Sequence, residues 1–111
     1  MRRYCLALDL VDNADLICEY EQYHERVWPE IRKSIVDAGI LEMNIYRFSN
    51  RLLMTIDAVD DFSFERKALM DGLNPKVQEW EQLMWKYQQS IPGSEQGEKW
   101  VLMKNIFSLS K

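Results

Sequence analysis

Apolar and polar positions alternate along residues 2–10, with Tyr4, Leu6, Leu8 and Leu10 on one side and Arg3, Cys5, Ala7 and Asp9 on the other. A period of two belongs to a strand with one face toward a core. After Val11-Asp12-Asn13, which supplies capping side chains, Leu16, Tyr20, Tyr23 and Val27 recur at helical spacing, so a helix is expected from Ala14. Pro29 cannot sit inside that helix but fits the first turn of another, with Glu30 near the positive amide end. The spacing therefore predicts a kink or restart at Trp28-Pro29 and a stop at Gly39. Leu41 to Phe48 and Arg51 to Ala58 read as a hairpin across Ser49-Asn50, the asparagine tolerating the positive φ of such a turn. Phe62 to Gly72 and Pro75 to about Gln89 return to helical spacing, with Val77, Trp80, Met84 and Tyr87 in one stripe. Pro92-Gly93-Ser94 opens a polar loop to Lys99, and Trp100 to Leu109 reads as a last strand.

That order is the β-α-β-β-α-β of a ferredoxin-like unit, an α+β fold with helices on one face of a four-stranded antiparallel sheet. The other sheet face would carry Cys5 and Ala7, or the row Leu41, Met43 and Ile45, which is too apolar for water. A symmetric homodimer with facing sheets is the economical cover.

The chain has 111 residues, enough for one domain over 1–111 with a core that needs no disulfide or metal. Fourteen Lys and Arg against eighteen Asp and Glu leave a net charge of −4, with no long basic run. Nucleic acid and anionic membranes are poor partners for such a surface. The apolar stretch behind Arg2-Arg3 ends at Asp9, too soon for a signal peptide or a membrane span. Cys5 and Cys18 form no ligand spacing, and two buried reduced thiols in a cytoplasmic protein are expected.

Candidate chemistry centres on His24, the one histidine, with Tyr20 a helical turn before it on the same face. A lone helical histidine can equally face solvent or be satisfied in the core, so spacing alone leaves its role open. Glu21-Gln22-Tyr23-His24 has the Glu-x-x-His spacing of a di-metal helix, but that motif must occur twice, and no metal is expected. Trp28, Trp80, Trp85 and Tyr87 suit the faces of sugar rings as well as a core or a dimer seam. Met43, Met54, Met70, Met84 and Met103 read as core filler. No phosphate loop, nucleophile elbow or Ser/His/Asp order is present.

The stretch His24-Glu25-Arg26-Val27-Trp28-Pro29-Glu30, with Tyr20 four residues before the histidine, resembles the L-rhamnose mutarotase family. The likeness continues through Gly39, Asn44-Ile45-Tyr46, Asn50-Arg51-Leu52-Leu53, Gln78-Glu79-Trp80 and Met84. The resemblance implies a dimeric α+β barrel enzyme that interconverts the anomers of a free 6-deoxy sugar without a cofactor. It also implies His24 as general acid, with Tyr20 and Trp80 contacting the sugar. Two positions depart: a family tyrosine falls on Met43, and the second of a Trp pair falls on Glu81, which bears on the choice between L-rhamnose and L-fucose. Two other readings fit the same fold, a small monooxygenase and a non-catalytic ligand-binding module.

Overall fold

The computed structural model describes residues 1–110. Strand β1 covers Arg2–Leu10, followed by helices α1 (Ala14–Glu25) and α2 (Pro29–Asp37), then strands β2 (Ile40–Phe48) and β3 (Arg51–Ala58). Helices α3 (Phe64–Gly72) and α4 (Pro75–Trp85) and two short strands, β4 (Gln88–Gln89) and β5 (Val101–Leu102), complete it. The sheet order is β2-β3-β1-β4, with β5 also pairing β1, and every pairing is antiparallel. This is the expected ferredoxin-like α+β order.

Local chemistry sets the helix starts. Asn13, Ser63 and Asn74 each accept a backbone N–H bond from the first turn of α1, α3 and α4, satisfying donors that helix geometry leaves unpaired. Pro29 and Pro75 occupy first-turn positions where no N–H is needed. The chain leaves α2 through Gly39, whose φ of +95° is costly for other residues and whose carbonyl accepts from Val59 N–H at 2.9 Å.

Several details differ from the expectation, among them the start of α3, which falls at Phe64 behind its cap Ser63 and not at Phe62. In the hairpin Ser49, not Asn50, takes the positive φ of 54°. Arg47 Nη1 holds the Ser49 carbonyl at 2.7 Å, while Asn50 bonds across to Leu10 through both backbone and side chain. Helix α4 ends at Trp85, because Tyr87 turns into the core and its carbonyl accepts from Val11 N–H at 2.8 Å. The last strand is only Val101–Leu102, since beyond the Met103 N–H bond to the Cys5 carbonyl the segment runs past the sheet with Ile106 and Phe107 exposed.

The register reveals one edge strand in two pieces. Leu6 and Ala7 pair with Leu102 and Val101, whereas Asp9 and Leu10 pair with Gln89 and Gln88. Residues 90–100 therefore leave the sheet opposite Leu8 and rejoin the same edge, as an oversized bulge would.

Two apolar clusters lie under the helices. One gathers Leu6, Ala38, Ile40, Ile56, Ala58 and Phe62; the other gathers Leu8, Leu10, Tyr20, Leu52, Met84 and Tyr87. Leu8 and Leu10 are wholly buried, each contributing about 1.5–3 kcal/mol. Met43 and Ile45 face the helices, not the outer side, because their partners across β3 are the inward Ile56 and Met54. The outer face carries Cys5, Ala7, Tyr46, Phe48 and Leu53, and Tyr46 and Phe48 are well exposed. Cys18 is exposed on the outward side of α1 and Cys5 is half-buried, so the expectation of two buried thiols fails; both are free. Of the methionines read as filler, Met84 is core, Met43 and Met54 line a cavity, and Met103 is half exposed.

Candidate functional site

Between the two clusters the helices stand off the sheet and leave a cavity of about 470 Å³. Its floor is apolar strand surface from Leu6, Ile45, Met54 and Ile56. Tyr20, His24 and Trp80 all line it, so the residues singled out in the sequence meet at one site.

The i, i+4 spacing on α1 stacks the Tyr20 and His24 rings, with centroids 4.4 Å apart and planes at 35°. Trp80 of α4 meets His24 edge-on at 5.7 Å and is itself braced by Tyr23 and Trp28. The imidazole is thus held by aromatic contacts on two sides.

Its tautomer follows from one hydrogen bond. His24 Nδ1 lies 2.8 Å from the Tyr20 carbonyl oxygen, which can only accept, so Nδ1 carries the proton. Nε2 of the neutral ring then presents a lone pair. Burial lowers the His24 pKa below its ordinary 6.5, the bond to the carbonyl offsetting part of the effect. The ring is neutral at pH 7.

Tyr20 complements it. Gln88 Nε2 donates to the Tyr20 hydroxyl oxygen at 3.3 Å, leaving the phenolic proton free to be donated. Burial raises the Tyr20 pKa, partly offset by that bond, so the group stays protonated near neutrality. A lone-pair acceptor and an O–H donor therefore stand one helical turn apart on the same cavity wall.

Sequence reasoning missed several lining residues. Gln88 was placed inside a helix, although it belongs to β4; Trp100, where the 90–100 excursion returns, packs against both apolar clusters. Lys67 and Asp71 reach the cavity from α3 beside Glu81 of α4. None of these shares a spacing with His24. Glu21, the acid of the Glu-x-x-His spacing, forms an ion pair with Arg47. No group of three His, Cys, Asp or Glu comes together as metal ligands among the described residues.

The family model for L-rhamnose mutarotase matches residues 3–109. The chain belongs to the L-rhamnose mutarotase family. Within reach of that family, an L-fucose mutarotase from Xanthomonas campestris pv. campestris is 44% identical over 100% of this chain and 90% of its own. Among solved structures, an L-rhamnose mutarotase from Formosa agariphila superposes with a TM-score of 0.73 at 19% identity, covering 98% of this chain and 99% of that one. A dimeric ferredoxin-like protein from an uncultured marine organism follows the same fold at a TM-score of 0.56 and 12% identity, covering 96% and 90%. Membership of the mutarotase family favours sugar isomerisation over the monooxygenase and the binding module.

Proposed function

We propose that this protein is an aldose mutarotase that interconverts the α and β anomers of a free 6-deoxy-hexose, L-fucose or L-rhamnose, with His24 and Tyr20 as its proton-transfer pair. The observation that carries the reading is their complementary hydrogen-bonding state on one cavity wall. Mutarotation needs the anomeric hydroxyl to lose a proton while the ring oxygen gains one. His24 Nε2 takes the first proton and the Tyr20 hydroxyl gives the second. The C1–O5 bond breaks, and the electron pair of the former O1–H bond becomes the carbonyl π bond of the open aldehyde. After rotation about C1–C2, the ring recloses on the other carbonyl face, with both protons returned.

In this scheme His24 starts as the base and acts as the acid on closure, because burial keeps its resting ring neutral. Trp80 offers an apolar ring to a sugar face. General acid–base help of this kind is worth roughly 10²–10⁴-fold, ample for a reaction that already runs slowly in water. The test is exchange NMR of the anomeric protons of L-fucose and L-rhamnose, with and without protein. Accelerated exchange of either sugar supports the reading; binding without acceleration would leave a mere sugar-binding module.

We also infer a homodimer that joins the outer sheet faces. The apolar Tyr46, Phe48 and Leu53 lie on that face between two bidentate pairs, Arg3 with Asp57 and Arg51 with Asp9, and the fold neighbour from the marine organism is described as dimeric. No described helix is long and apolar enough to cross a membrane, and with two free thiols the cytoplasm is the compartment we assign.

A further inference from the structure

The proton-transfer pair occupies one side of the cavity, and Trp80 of α4 faces it. The next residue, Glu81, turns by about 100° around the helix and projects toward α3, where Asp71 and Lys67 act on its charge. Lys67 Nζ donates to Asp71 Oδ2 at 2.5 Å, and both side chains are largely buried. All three line the cavity. Glu81 differs from its two neighbours in having no hydrogen bond or ion pair among the described residues, although it is half-buried. Loss of water, together with the nearby Asp71 charge, raises its pKa, against which Lys67 acts.

A carboxylate set into an apolar cavity with its acceptor capacity unused is suited to hydroxyl donors. In a pyranose whose C1 stands at His24 and Tyr20, the carbon across the ring is C4. We propose that Glu81, beside the Lys67–Asp71 pair on the cavity wall, accepts the hydrogen bond of the sugar's C4 hydroxyl and so selects between C4 epimers. The proposal rests on the mutarotase reading and deepens it. A charged acceptor that gains or loses a hydroxyl partner discriminates far better than an apolar pocket does. L-Fucose and L-rhamnose differ at C4 as well as at C2, so a C4 reader separates them without touching the reacting carbon.

The test compares exchange rates for L-fucose, 6-deoxy-L-glucose and L-rhamnose. The first pair differs only at C4 and the second pair only at C2. For the wild-type protein the C4 pair is expected to differ in kcat/KM. Glu81→Gln should lower kcat/KM for the preferred C4 epimer by about tenfold, chiefly through KM, and leave the other epimer nearly unchanged. Lys67→Met, which keeps the Glu81 side chain itself, should narrow the same ratio to a smaller degree, so a folding failure of one variant leaves the other to decide. Loss of kcat that is equal for all three sugars, or an unchanged C4 ratio in both variants, overturns the proposal. If the wild-type protein accelerates none of the sugars, the mutarotase reading itself falls and this assignment with it, an outcome distinct from the other two.

Discussion

His24 serves as a base only while Nε2 keeps its lone pair, and its burial fixes the pH at which that ends. Because its pKa is lowered from 6.5, the midpoint of the acid-side fall in kcat/KM should lie below 6.5; a midpoint above 6.5 would contradict the base role. The same shift bears on stability. Unfolded His24 takes up a proton near 6.5 and folded His24 only lower, so its contribution is whole above 6.5 and is lost as pH falls from there through the folded value. His24→Ala should cut the mutarotation rate by roughly 100-fold or more, with the far-ultraviolet circular dichroism unchanged. Tyr20→Phe keeps the ring stack and removes the proton donor, so it should reduce kcat by about 10–100-fold and KM by much less, as read by saturation kinetics. The shared face of Tyr20 and His24 was legible from their spacing, and Trp80 from the family resemblance. Gln88, which frees the phenolic proton, was not legible: glutamine side chains carry no pattern, and its position depends on where α4 stops.

Where the elements begin was better encoded than where they end. Asn13, Asn74 and the two prolines announce their helices locally, whereas the end of α4 is set by the burial of Tyr87 and by a backbone bond to Val11, a partner distant in sequence. The hairpin was expected from Ser49-Asn50, yet the two residues exchange roles because Asn50 is drawn to Leu10 and Arg47 secures Ser49. Gly39 is the element-scale weak point. A Cβ there would lie 2.8 Å from Val59 Cγ2, and φ is +95°, so Gly39→Ala should cost about 1–3 kcal/mol in urea unfolding. A variant as stable as the parent would show that the α2–β2 corner relaxes freely.

For the whole molecule, the sheet face turned away from the helices was expected to be apolar; it carries an apolar patch of Tyr46, Phe48 and Leu53 instead of the Met43 and Ile45 row, set among the charged pairs Arg3–Asp57 and Arg51–Asp9. The period of two cannot tell which face of β2 looks inward when both carry large apolar side chains, Met43 and Ile45 on one and Tyr46 and Phe48 on the other. Sedimentation at micromolar concentration should give a dimer, and Leu53→Asp should shift it toward monomer; a wild-type monomer would refute the facing-sheet arrangement. The interrupted edge has a different consequence. Gln88–Gln89 and Val101–Leu102 grip β1 independently on either side of Leu8, so the span between them can lengthen or shorten without shifting either set of rungs. The exposed rim ahead of Trp100, which itself stays anchored in the two apolar clusters, is in effect an interchangeable part, able to be refitted for a differently shaped sugar while the floor and the proton-handling wall stay as they are.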